Sequence, residues 1–321
     1  MFCEKIIKCK KGKEIQGKER KEMEYAVNTN LLTKKFGQHT AVNQINLHVK
    51  RGEIYGFIGR NGAGKTTCMK MLCGLATPTS GEISLFGKQG AQAKEMYERI
   101  GNLIENPGLY PNMSAGENLK CKCLALGIHK KGYIEDILEQ VGLQEAGKKK
   151  VKNFSLGMKQ RLGIGMALLG EPDLLILDEP INGLDPQGIV EVRETLKNLN
   201  QKKGMTIMIS SHILEELHKV ADTFGIIHNG ELIQELSKEE LEEKCNNYIE
   251  ITAEHTEYIC TVLESMGIKN YKVVSPNVIQ IYERLEESGQ INVELTKKDC
   301  VIDTIRVAHE KLENYFLELT K

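Results

Sequence analysis

Short apolar runs alternate with stretches of helical spacing over most of this chain. EIYGFIG, DLLILDEP and MTIMISSH are brief, rich in large aliphatic residues, and end in glycine, acid or histidine. Strands buried on both faces of a parallel sheet read this way. From about residue 112 to 170 the pattern turns helical. SAGE reads as a capping box opening ENLKCKCLALG, and GYIEDILEQVGL follows with apolar positions at helical spacing. The spacing predicts an α/β core over 23–235 interrupted by a mainly helical insert. A charged linker at 236–245 then changes the texture. YIEITA, YKVVSP, VIQIYE and VIDTIRV predict strands, TEYICTVLESMG a helix between the first two, and EKLENYFLELT a closing helix. Residues 246–321 are therefore expected to form a small, ferredoxin-like α+β domain.

Composition narrows the function before any motif is read. At 321 residues the chain holds one large domain, or one of about 200 residues plus a small one. A net charge of −1 gives no electrostatic ground for a nucleic-acid partner. No apolar run approaches the roughly 18–20 residues that cross a bilayer, so work on a membrane needs a second, spanning chain. The nine cysteines form no CxxC pair and read as reduced, buried thiols. The first 22 residues carry eight Lys or Arg and four Glu, and read as a basic, disordered leader. A weak anchor to anionic lipid and a translation start at Met23 are the other readings of that stretch.

GRNGAGKTT fits G-x-x-x-x-G-K-[ST] between a strand and a helix. Gly59, Arg60, Asn61, Gly62, Ala63, Gly64, Lys65, Thr66 and Thr67 thus read as a cradle for the phosphates of ATP. The glycines let backbone N–H groups point at phosphate, Lys65 reaches the β- and γ-phosphates, and the Thr66 hydroxyl ligates Mg²⁺. DLLILDEP supplies the complement: Asp178 to hold Mg²⁺, and Glu179 to orient and deprotonate a water. Such general-base help is worth about 10²–10⁴ in rate. A second anion-binding end comes later, in NFSLGMKQRLGIG, where Ser155 stands at an N-cap position and Gly157 permits close backbone approach. By the residues alone, Asp185 followed by Pro186 is an ordinary N-cap and N1 pair. His212 at a strand end is open to a structural role, and Phe36 to a place in the core.

The P-loop, SLGMKQ, LLILDEP, NGLDP and SSH, in this order and spacing, resemble the nucleotide-binding subunit of an ABC transporter over roughly 23–235. The resemblance implies the ABC ATPase fold, an α/β P-loop NTPase core with a helical subdomain. It also implies a use for the second anion end. In that family the signature segment, here Ser155, Leu156, Gly157, Met158, Lys159 and Gln160, caps the γ-phosphate of ATP held by the other copy. Leu184 and Asp185 match the loop that crosses the dimer interface, His212 the switch histidine, and Phe36 the aromatic that stacks on adenine. Glu105 stands where a glutamine usually touches Mg²⁺ and the attacking water, so the resemblance implies that it joins Thr66 and Asp178 at the metal, with a side chain turned to solvent as the other reading. That departure, with ENPGLYPNMSAGENL, SLGMKQRLGIGMALL and LENYFLELT, resembles the subgroup that exports bacitracin and lantibiotics.

The implied protein hydrolyses Mg-ATP on the cytoplasmic face of the membrane. Its implied partners are an integral membrane permease and a second copy of itself, without nucleic acid. An ABC-type ATPase of chromosomes or ribosomes is the alternative, which the short stretch between P-loop and signature disfavours. For the C-terminal domain the default expectation is packing against the core.

Overall fold

A computed structural model describes residues 24–244, 247–309 and 312–320, in two compact units that divide between Lys238 and Glu239. The expected leader at 1–22 lies outside the described residues.

The first unit opens with β1 (Tyr25–Phe36), β2 (His39–Ile45), β3 (His48–Lys50) and β4 (Ile54–Ile58). Next come α1 (Lys65–Leu72), β5 (Ser80–Leu85), β6 (Lys88–Gln89), α2 (Gly90–Glu95) and β7 (Ile100–Leu103). The helical insert holds α3 (Ala115–Ala125), α4 (Tyr133–Gln140) and α5 (Leu156–Leu168). Then follow β8 (Leu174–Leu177), α6 (Pro186–Lys203), β9 (Thr206–Ser211), α7 (Leu214–His218), β10 (Thr223–His228) and β11 (Glu231–Ser237).

Six of these strands form one sheet in the order β11-β10-β4-β9-β8-β7. All its pairings are parallel except that of edge strand β11. Every residue of β4, β8 and β9 is buried, which is why their sequences read as continuous apolar runs rather than alternating ones. A separate antiparallel sheet, ordered β2-β1-β5-β6 with β3 also on β1, takes up the start of the chain. Strict strand–helix alternation does not foresee that sheet. Apolar residues of β1, β2 and β5 share a core with α1, so the antiparallel layer covers the helix that leaves the P-loop.

In the insert, the capping box at α3 is present: Glu117 N donates to Ser114 Oγ at 3.2 Å, and Ser114 N to Glu117 Oε2 at 2.7 Å. Arg161 of α5 donates to Val141 O and Gly142 O, just past the C-terminal end of α4, and pairs with Glu191 of α6 at 2.8 Å. One guanidinium thereby ties three helices, its fork satisfying carbonyls that the end of α4 leaves unpaired.

α8 (Lys238–Lys244) spans the division into the second unit. Beyond it lie β12 (Asn247–Thr252), α9 (Thr256–Ser265), β13 (Tyr271–Ser275), β14 (Val278–Ile281), α10 (Ser288–Lys297), β15 (Thr304–His309) and α11 (Leu312–Leu319). The sheet order β13-β14-β12-β15, antiparallel throughout, with α9 and α10 as the two crossovers, is the βαββαβ ferredoxin-like arrangement. α10 is not foreseen from the sequence. It buries only Ile291 and Leu295 and has no side-chain cap, so its apolar stripe is a single pair. The last strand starts at Thr304 rather than Val301, whose side chain is exposed.

Candidate functional site

The P-loop joins β4 to α1 and is shaped by close backbone packing. A Cβ on Gly59 would lie 2.6 Å from Ile227 O, and one on Gly64, at φ 107°, only 2.4 Å from Ala41 O. Both positions require glycine. Lys65 is almost fully buried and turns its ammonium onto Gly59 O at 2.6 Å and Arg60 O at 3.3 Å. It also meets Glu179 Oε1 at 3.1 Å.

β8 delivers the acidic pair. Asp178 is buried, accepts from Thr66 Oγ1 at 2.6 Å through Oδ2, and accepts from Ser210 Oγ at 2.6 Å through Oδ1. Glu179 follows at φ 49°, a left-handed setting that costs a non-glycine residue about 1–3 kcal/mol. Its N–H donates to Ser210 Oγ at 2.9 Å. Its carboxylate is shared between Lys65 and the Nδ1 of His212, the latter at 2.7 Å from Oε2. Strands β8 and β9 thus bring two carboxylates, a serine and a histidine to one end of the sheet. Ser210 is the member that sequence reasoning passed over. Its signal lay in the register: β8 and β9 are parallel with Leu177 beside Ile209, so Asp178 falls next to Ser210.

A cleft of about 390 Å³ adjoins this set, lined among others by Phe36, Ala41, Asn61, Thr66, Glu179 and Asn182. Phe36 is 54% exposed, so it is not a core residue, and Lys34 Nζ stands 5.0 Å over its ring. The oxygens of Thr66 and Asp178 fit a Mg²⁺ ion that also takes phosphate and water ligands. Among the described residues no group of three or more acidic, His or Cys side chains forms a dedicated metal cage.

Glu105 is placed differently from the expectation that it joins Thr66 and Asp178. Its side chain is 64% exposed and its carboxylate pairs with Lys70 Nζ at 2.6 Å. The physical reason is its setting two residues beyond β7 at φ 65°, opposite the Lys70 ammonium of α1.

The signature segment is built apart from the cleft, and none of Ser155 to Gln160 lines it. Ser155 caps α5 by accepting from Met158 N at 3.2 Å. Gly157 is buried, and a Cβ there would stand 3.4 Å from Gly188 Cα and 4.0 Å from Leu184 Cδ2. Leu156 is half exposed, Met158 and Lys159 are half-buried, and the buried Gln160 has an Oε1 without a partner among the described residues. Asp185 caps α6 by accepting from Gly188 N at 2.9 Å, with Pro186 at N1. The first turns of α5 and α6 therefore pack through two glycines, keeping Ser155 and Asp185 on one exposed rim. The buried thiols Cys68 and Cys73 of α1 and its C-terminal end are pushed up to about 12 by desolvation, which leaves them protonated and unreactive near neutral pH.

Comparison with known proteins adds to this geometry. A family profile described as ABC transporter matches residues 42–182. The bacitracin transport ATP-binding protein BcrA of Bacillus licheniformis is 44% identical over 299 residues, covering 92% of this chain and 98% of that protein. The lantibiotic transport ATP-binding protein SrtF of Streptococcus pyogenes is 47% identical over 221 residues, 68% of this chain and 95% of SrtF. A solved ATP-binding subunit of an ABC transporter superposes with TM-score 0.59 at 32% identity, covering 68% of this chain and 92% of that one.

Proposed function

The chain belongs to the ATP-binding subunits of ABC transporters, which couple ATP hydrolysis to transport, and we propose that it powers export of a bacitracin- or lantibiotic-like peptide antibiotic through a separate membrane permease. The observation that carries this reading is the likeness to a bacitracin transport protein over 92% of the chain, a span too long for the first unit alone. Among the described residues no helix is long and apolar enough to cross a membrane, which fits attachment through a permease at the cytoplasmic face. The relatives named above are transport proteins, and neither favours a chromosome- or ribosome-bound ATPase.

In this reading the Gly59–Thr67 loop holds the triphosphate, Lys65 neutralises its β- and γ-oxygens, and Phe36 stacks on adenine. Thr66 and Asp178 hold Mg²⁺, which when bound offsets charge on the transferring phosphoryl group. Glu179 takes the proton of the attacking water. His212, whose Nδ1 lies 2.7 Å from Glu179 Oε2, is read as the switch histidine that contacts the γ-phosphate and helps position the water. ABC ATPase subunits dimerise, and the exposed rim of Ser155 and Asp185 is proposed to meet the nucleotide of a second copy. The test is to express the chain with the permease of its own host in a sensitive strain and measure the inhibitory concentration of bacitracin and of a lantibiotic. Protection abolished by Glu179→Gln supports the reading; equal sensitivity with and without the active chain overturns it.

A further inference from the structure

Two lysines of α1 each face a carboxylate near the end of the parallel sheet. Lys65 meets Glu179 at 3.1 Å, and Lys70 meets Glu105 at 2.6 Å. Thr66 and Lys70 are four residues apart on α1 and so share one face, a helical turn from each other. Thr66 is the residue that donates to Asp178. Glu105 leaves from the neighbouring strand end: β7 pairs with β8, Leu103 beside Leu177, and Asp178 N donates to Leu103 O at 2.8 Å. The chain therefore carries a third carboxylate past the Thr66–Asp178 pair, and an ion pair draws it to Lys70, one turn further along α1. The backbone of Glu105 sits at φ 65°, a setting unfavourable to a residue with a Cβ.

We propose that Lys70 is a positioning residue that holds Glu105 away from the Thr66–Asp178 site. The proposal rests on reading that site as the one for Mg-ATP. Asp178 and Glu179 already place two carboxylates where a triphosphate is to bind, with Lys65 as the nearby cation. A third negative charge there would raise the energy of the bound nucleotide, as like charges crowded at one centre do. Lys70 removes that charge by pairing with it. The pair is solvent-exposed, with side-chain accessibilities of 37% and 64%, so it biases the carboxylate rather than locking it.

The test uses the full chain, a fluorescent ATP analogue and Mn²⁺ as the probe ion. The quantity read is the Mn²⁺ concentration giving half-maximal analogue binding, with the thermal midpoint recorded for each variant. Lys70→Met is expected to raise it by up to about fivefold, the equivalent of one exposed ion pair, and a lowered value overturns the proposal. Lys70→Arg is expected to restore it. In the Glu105→Gln background Lys70→Met is expected to change nothing. An unshifted Lys70→Met protein, or an equal shift in the double variant, overturns the proposal. A wild-type protein whose analogue binding ignores Mn²⁺ overturns the underlying site reading and this proposal with it.

Discussion

The ring of His212 and the carboxylate of Glu179 lie 2.7 Å apart, joined across parallel strands although 33 residues separate them in the chain. With Lys65 on the other carboxylate oxygen, Glu179 is held at both ends and aimed by its left-handed backbone. Glu179→Gln keeps the shape and loses the base, so hydrolysis should fall by about 10²–10⁴ while nucleotide binding persists. Phosphate release and analogue binding measured on one preparation check both halves. His212→Ala should lose less when added to Glu179→Gln than alone, because groups acting as a unit are not additive.

Ser210 accepts from Glu179 N and donates to Asp178 Oδ1 inside the protein. Ser210→Ala leaves both groups unpaired at a cost of about 1–3 kcal/mol. In a unit of this size each kcal/mol lowers the thermal midpoint by about 2–4 °C. Calorimetry should find that drop, and hydrolysis should fall as well because the Asp178–Glu179 peptide is no longer anchored.

Gly59 is packed so closely that Gly59→Ala would drive its methyl group into the Ile227 carbonyl. Overpacking of this kind costs about 1–3 kcal/mol. Here the strain falls on the P-loop itself. A fluorescent ATP analogue should bind more weakly to the variant, and the thermal midpoint should fall with it.

A pH effect arises where His48 meets Glu235. His48 Nδ1 lies 2.7 Å from Glu235 Oε2, and Tyr55 OH donates to Glu235 Oε1 at 2.6 Å. The hydrogen bond to Glu235 raises the His48 pKa above 6.5 against the opposing effect of burial. A raised folded value means the native state holds the proton more tightly than the unfolded chain. The stabilisation is therefore complete below about pH 6.5 and fades as pH rises through the folded value. Unfolding midpoints followed from pH 6 to pH 8 should converge between wild type and His48→Gln; parallel curves would refute the assignment.

The parallel sheet and the P-loop were legible because β4 and β8 are buried on both faces and write that burial as unbroken apolar runs. The antiparallel layer was not. In YAVNTNLLTKKF the burial of β1 follows no period of two, and its pairings shift register at several points. α10 escaped because Ile291 and Leu295 alone mark its inner face. At the site, the acid, the histidine and the capped Ser155 could be placed from motif and position. The partners of Glu105 and Glu179 could not, since Lys70 and Ser210 reach them through folding rather than along the chain.

Arg161 gives the first unit a mechanical property. One guanidinium grips the carbonyls at the end of α4 and the carboxylate of Glu191 on α6, while its own backbone belongs to α5. A displacement of the end of α4 is therefore passed through one side chain to α5 and α6, the two helices that Ser155 and Asp185 cap.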